Sequence, residues 1–274
     1  MGGRGIREPA VAGSFYPGDE KSLGAIVESL LASVRPGHLE STPVALLVPH
    51  AGYPYSGQTA AYAYRTIKGE KYDTVVLVGP SHYSYFEGVA LYTGDLWRTP
   101  LGQVMLDDEI TSRILESCPA AASMPSVHEE EHSLEVQLPF LQKVLRDFKI
   151  VPVVISFRSA GDAATLARSI VAACSGRSSL LVASSDLYHG SSYEECVRKT
   201  DATVRGIIQG DPERLQQSFA SGESSACGEG AILTALSAAE SLDASPVLLH
   251  QTNSGDVMGS RSGYVVGYCS FAFI

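Results

Sequence analysis

The chain has 274 residues, 45% of them hydrophobic and 18% charged, with a formal net charge of −10. This is the composition of a globular protein with enough length for a sizeable core; the acidic balance argues against a nucleic-acid backbone as partner, because like charges repel. No apolar run approaches the ~20 residues of a membrane span, the start "MGGRGIREPAVAGSFYPGD" lacks the apolar core of a secretory signal, and five scattered cysteines without a CxxC suit a reduced, cytoplasmic setting better than a disulfide framework.

Along the chain, Leu23, Ile26, Val27, Leu30, Leu31 and Val34 keep helical spacing, with Asp19 as N-cap. A strand is expected over 43–49, then a helix capped by Ser56 and running to about Lys68. "DTVVLVGPSH" holds a second buried strand at 73–79, and "GVALY" a third at 88–92. The acidic "DDE" at 107–109 opens a helix that reaches about Cys118, since carboxylates suit a helix N-terminus. In "SLEVQLPFLQKVL" four leucines share a helical face, and Pro139 marks a kink or a late start. A strand (150–156), a helix (162–174), a strand (179–185) and helices over 193–209 and 212–220 follow. The second of these has Asp211 as cap and Pro212 in first position. A helix from Gly228 to Leu242 precedes strands at 246–252 and 263–273. Strands alternating with helices mean an α/β fold with a mixed, mostly parallel central sheet flanked by helices. With no linker and no repeat, residues 1–274 read as a single domain.

Three of these strands end alike. "LLVPH" delivers His50, "VLVGPSH" delivers His82, and "LLVASSDLYH" delivers Asp186 and His189. Ligands of open α/β sheets bind outside the carboxyl ends of the strands, so these four residues are expected on one edge. Any one histidine alone is more simply a satisfied core or loop residue; three similar strand ends together favour metal binding or acid–base chemistry. Cys227 in "SSACGEG" stands just before a helix start, where unpaired amides favour a thiolate. A packing role is as good an account from position alone. Cys118, Cys174, Cys196 and Cys269 read as packing residues.

"HEEEH" at 128–132 matches the helical zinc-protease pattern H-E-x-x-H. The preceding "SMPSV" reads as loop, so His128 to Glu130 are expected in a solvated loop; His132 and Glu135, nearer the helix start, can point into a pocket. Tyr53, Tyr55, Tyr83 and Tyr188 flank the candidate residues. Trp97 reads as packing, Arg98 as a surface residue, and His38 and His250 fall outside the group.

The blocks "AGSFYPGD", "VPHAGYPYSG", "VGPSH", "TPLG", "EHSLEVQLPFLQ", "SSDLYHG" and the isolated "ACG", in this order over nearly the whole chain, resemble the Memo family. The resemblance implies a fold like that of the class III extradiol ring-cleaving dioxygenases, which are non-haem iron enzymes. It places His50, His82 and Cys227 where the family's metal ligands stand, with Asp186 and His189 in the same pocket and His189 as the counterpart of the acid–base catalyst. In the related dioxygenases two histidines and a glutamate hold Fe(II); here a cysteine takes the carboxylate's place, and a softer thiolate also suits Cu(I) or Zn(II). The resemblance further implies a radical-SAM protein and an AMMECR-type protein as partners, and an unknown small molecule or peptide as ligand. Three functions are compatible with this pocket: a metal-dependent redox enzyme, with His132 hydrogen-bonding behind the ligands; a non-catalytic copper- or iron-binding or peptide-binding module; and, third, metal-free thiol chemistry at Cys227.

Overall fold

The computed structural model describes residues 5–274. Its elements are β1 (Ile6–Arg7), α1 (Glu20–Ser33), β2 (Ala45–Val48), α2 (Tyr53–Thr66), β3 (Thr74–Pro80), β4 (Val89–Leu91), β5 (Leu96–Thr99), β6 (Gly102–Met105), α3 (Asp108–Ser117), β7 (Ala121–Ser123), α4 (Leu138–Val144), β8 (Lys149–Ile155), α5 (Ala160–Ala173), β9 (Ser179–Ser184), β10 (His189–Gly190), α6 (Tyr193–Gln209), α7 (Pro212–Ala220), α8 (Glu229–Ser241), β11 (Pro246–Asn253), α9 (Ser254–Met258) and β12 (Val265–Phe273). Two 3-10 turns, Pro125–His128 and Glu135–Gln137, precede α4.

The large sheet runs β10-β12-β2-β9-β3-β8-β4-β7, with β11 also paired to β12. Its centre, β2-β9-β3-β8, is parallel. Antiparallel neighbours flank it: β12 beside β2, and β4 beside β8. The expected α/β class with a mixed sheet is therefore observed. The continuous apolar runs have a simple cause, burial on both faces. In β2, Ala45 and Leu47 join one core cluster while Leu46 and Val48 join the other; in β3, Val76 and Val78 oppose Val75 and Leu77. Helices α3, α5, α7 and α8 cover the first face, and α1, α2 and α4 the second.

Local chemistry explains most boundaries. The Asp19 carboxylate accepts from Ser22 N at 2.9 Å and starts α1, and Asp107 caps α3 through Ile110 N at 3.2 Å. Pro139 lies in the first turn of α4, so the helix starts late rather than kinking. Helix α2, by contrast, begins at Tyr53, not Ser56: Gly52 precedes it, Pro54 occupies its first turn, and the Ser56 hydroxyl bonds the Ala51 carbonyl instead of capping. The β5–β6 hairpin has no counterpart in the sequence reading. It pairs with β1 into a small separate sheet and lays the Arg7 guanidinium 4.5 Å from the centre of the Trp97 ring. Trp97 is fully buried there, as a packing residue. Arg98 pairs with Glu8 on the surface at 2.6 Å. No helix among the described residues is long and apolar enough to cross a membrane.

Candidate metal centre

The four parallel strands open onto one edge. His50 follows β2 by two residues, His82 follows β3 by two, Asp186 follows β9 by two, and Phe157 and Arg158 follow β8. His50 and His82 meet there as expected, with ring centroids 5.1 Å apart. His132 joins them from the 131–135 segment: its ring lies 4.5 Å from His82 and 5.6 Å from His50, flanked by Phe15 at 4.7 Å. One ring nitrogen from each of the three lies within 4.8 Å of the other two. Sequence reasoning placed His132 behind the candidate ligands; in the structure its ring stands beside those of His50 and His82.

Hydrogen-bond accounting fixes the tautomer of His50. The Ser184 hydroxyl donates its single proton to the Ser133 carbonyl at 2.6 Å. It accepts from Gln137 Nε2 at 2.9 Å and lies 2.9 Å from His50 Nδ1. With its proton already committed, Ser184 can only accept from His50. Nδ1 therefore carries the hydrogen and Nε2 presents its lone pair to the site. Gln137 is itself held by Tyr64, whose hydroxyl donates to Oε1 at 2.9 Å, and by the Pro49 carbonyl, which accepts from Nε2 at 3.0 Å.

His82 is held similarly. Its Nδ1 lies 2.9 Å from Glu131 Oε1, and the amides of His82 and Ser133 donate to the same carboxylate at 2.6 and 2.8 Å. Burial by itself raises the Glu131 pKa, but these contacts and the His82 ring outweigh it and hold the group down at about 2. An ionised carboxylate only accepts, so His82 donates through Nδ1 and leaves Nε2 open. Burial, helped by the neighbouring imidazoles, pushes His132 down to about 3 and His50 well below its ordinary value. His50 and His132 are thus neutral, the form that binds metals. His132 Nδ1 is buried without a hydrogen-bond partner. A cluster of three imidazoles, one with an orphaned nitrogen, fits a transition-metal ion.

Cys227 lies beside this cluster, with Sγ 3.1 Å from His50 Nε2. Because Nε2 is the lone-pair nitrogen, the thiol donates to it. The expected helix-start thiolate is not what the metal-free protein holds: burial, with Asp186 adding to it, raises the thiol pKa well above its ordinary value. Two glycines let α8 press its start against the strand ends. A Cβ on Gly228 would stand 2.7 Å from the Ser184 carbonyl oxygen, and one on Gly230 2.4 Å from that of Phe157. Asp186 is buried and its Oδ1 accepts the His50 backbone N–H at 2.8 Å, so it braces the strand end carrying His50. Burial raises its pKa to about 6. His189 is exposed, in β10, within the electrostatic reach of Asp186 and His82.

Other residues lie elsewhere. His128 is fully buried rather than in a solvated loop: its Nε2 bonds the Ala90 carbonyl at 3.1 Å, and it packs edge-on to Tyr92 and Trp97. Only Glu129 and Glu130 of that stretch are exposed. Glu135 does not face the histidines. It forms a buried ion pair with Arg7 and accepts from Tyr16 Oη and from the amides of Ala10 and Val11 at 2.8 and 3.1 Å. Arg7 also donates to the carbonyls of His128 and Glu131 at 3.0 and 2.7 Å, tying the amino-terminal segment to the one that carries His132. Tyr53 and Tyr188 are packing residues, bonded to the Val136 carbonyl and to Glu195; Tyr83 stands exposed at the rim beside His82 and His132. Gln137 and Ser184 went unnoticed in the sequence because one reads as a helix position and the other as strand. A cavity of about 300 Å³ adjoins the centre, lined by His82 and Cys227. A roomier one of about 460 Å³ lies at the amino-terminal edge, among Ala45, Leu181 and Leu242, without a histidine in its walls.

The fold and site define an α/β protein that gathers three imidazoles and a thiol at the carboxyl edge of its parallel strands. The chain belongs to the Memo family: residues 7–272 match the family described as Memo-like protein. It is 38% identical over 275 residues to a MEMO1 family protein of Aeropyrum pernix, covering 96% of this chain and 98% of that one. A MEMO1 family protein of Aquifex aeolicus is 37% identical over 271 residues, covering 98% and 99%. One from Nitrosopumilus maritimus is 34% identical over 275 residues, covering 98% and 100%.

Proposed function

We propose that the protein is a non-haem, metal-dependent oxidoreductase whose ion is held by His50 and His82 with His132 and Cys227 completing the donor set. Fe(II) is the leading candidate, and Cu(I) and Zn(II) are the alternatives a sulfur donor admits. The observation that carries this reading is the approach of one ring nitrogen from each of three imidazoles to within 4.8 Å of the others, two of the rings having Nδ1 committed to Ser184 and Glu131. Histidine ligands ordinarily donate their second nitrogen to an oxygen acceptor in this way.

A bound iron or copper ion would supply one-electron and oxygen chemistry. The chain's own groups supply the rest. His50 presents its Nε2 lone pair without needing to lose a proton, Glu131 orients the His82 ring, and Asp186 keeps the His50 backbone fixed. His189, exposed and with its pKa drawn below the ordinary histidine value by partial burial against the pull of Asp186, is placed to move a proton between solvent and a bound molecule.

Anaerobic reconstitution followed by elemental analysis tests the reading. One ion per chain is expected for the wild type, with loss of stoichiometric binding in His50→Ala and His82→Ala. Stoichiometric binding that survives both substitutions contradicts it.

A further inference from the structure

We propose that the cavity beside the metal centre binds a small organic anion with a flat apolar body, an aryl or arylalkyl carboxylate, and that Arg158 recognises its charge. The proposal deepens the reading above by naming the ligand class of the same site.

It begins from the fourth strand end. Strands β2, β3 and β9 deliver His50, His82 and Asp186; β8, the remaining parallel strand, delivers Ser156, Phe157 and Arg158 to the same edge. Arg158 lines the cavity that His82 and Cys227 also line. Its side chain makes no hydrogen bond or ion pair with any described residue, whereas Arg7, Arg98, Arg113 and Arg177 are each paired with a carboxylate. Glu229 feels Arg158 without bonding it: burial raises its pKa and Arg158 lowers it. An unpaired guanidinium at the mouth of a cavity, in a chain of net charge −10, is a specific anion attractor, because its surroundings repel anions elsewhere. Its planar fork matches a carboxylate.

The rest of the lining sets the body of the ligand. Phe86, Phe157 and Ile155 supply apolar walls. The cavity's volume of about 300 Å³ is at the small end of ligand sites and suits a single ring rather than a peptide. The loop is not free to wander. Ser156 N donates to the Gly88 carbonyl at 3.1 Å, Ala160 N to Gln216 Oε1 at 2.8 Å, and Gly230 lets α8 close onto the Phe157 carbonyl. A ligand seated with its charge on Arg158 lays its body along Phe157 toward His82 and Cys227.

The test titrates full-length protein, metal-free and Fe(II)-loaded, with 3-phenylpropanoate and with its neutral analogue 3-phenylpropan-1-ol, read by calorimetry. The acid is expected to bind at least about tenfold more tightly than the alcohol. Arg158→Gln should remove that preference, Arg158→Lys should keep part of it, and both should load metal like the wild type. Equal affinity for acid and alcohol, unchanged acid binding in Arg158→Gln, or no saturable binding of either probe overturns the proposal. Arg158-dependent binding of the acid to a protein that takes up no metal would support it while contradicting the metal reading. Normal metal loading with no Arg158 dependence would do the reverse.

Discussion

Ser184 Oγ lies 2.9 Å from His50 Nδ1 and gives its own proton to the Ser133 carbonyl, so the imidazole can present only Nε2 to the site. One hydroxyl thereby links β9, the 131–135 segment and the first candidate ligand. Ser184→Ala removes the acceptor for both His50 and Gln137. Metal affinity should fall about 10–100-fold, as for other partners behind metal-bound histidines, and the buried donors left behind should cost about 1–3 kcal/mol of stability. Nitrogen chemical shifts of the His50 ring in the metal-free protein check the cause: the wild type should show a single Nδ1–H tautomer and the variant a mixture.

Cys227 offers a count of protons. Its thiol is protonated in the metal-free protein and donates to His50 Nε2, while the His50 and His132 imidazoles are already neutral at pH 7. Binding of an ion that takes the sulfur as a ligand should release the thiol proton, visible as a buffer-dependent heat that Cys227→Ser lowers by about one proton per chain. Cys227→Ser should also weaken Cu(I) more than Fe(II), since a hydroxyl is the harder ligand. No release from the wild type would mean an all-imidazole centre.

Acid should destabilise the metal-free protein before most of its carboxylates titrate. His50, His128 and His132 have folded pKa values below the ordinary value, so between about pH 6.5 and 4 the unfolded chain takes up protons that the folded chain refuses. Asp186 works the other way: its folded pKa of about 6 exceeds the unfolded one, so the folded chain gains a proton over the same range and offsets one histidine. The net slope should be roughly 3 kcal/mol per pH unit, measured by urea unfolding. Glu131 acts lower down. With a folded pKa held at about 2, its contribution is complete above the ordinary glutamate value and is lost as pH falls from there toward 2. Glu131→Gln should flatten that acid limb and weaken metal binding through His82.

Arg7 is a structural clamp with a functional consequence. Its removal in Arg7→Ala would leave the fully buried Glu135 without its charged partner and free the His128 and Glu131 carbonyls. A loss of about 3–5 kcal/mol is expected from the stranded charge, read from chemical denaturation. Because the freed segment carries His132, metal affinity should fall as well.

What the sequence disclosed and what it hid follow from the range of the forces involved. His50, His82 and Asp186 were legible because each ends an apolar run whose burial on both faces is a local property of the strand. Asp19, Asp107 and Asp211 were legible because capping is a matter of three residues. His128 was misread because its burial comes from β1 and the β5–β6 hairpin, over a hundred residues away for Arg7. His132 stood among polar neighbours, and only Gly79, where a Cβ would meet Leu134 at 2.8 Å and Ser133 Oγ at 2.9 Å, lets its segment sit against β3. Ser184 and Gln137 looked like a strand residue and a helix residue because their partners come from three separate elements. Arg158 stood at a strand end like the others but carried no metal-ligating side chain to draw the eye.

The close contact at Gly79 makes its own prediction. Gly79→Ala needs no unusual backbone angle, so its effect is steric; it should displace Ser133 and Leu134, cost about 1–3 kcal/mol, and lower metal affinity with Cys227 untouched. Wild-type affinity in a stable Gly79→Ala variant would show that the position of His132 does not matter to the centre.

The most direct measurement is anomalous scattering at the iron edge from crystals grown and loaded with Fe(II) under anaerobic conditions. A single strong peak is predicted, within bonding distance of Nε2 of both His50 and His82. A map with no peak in reach of those two nitrogens, from protein shown to be folded, contradicts the account.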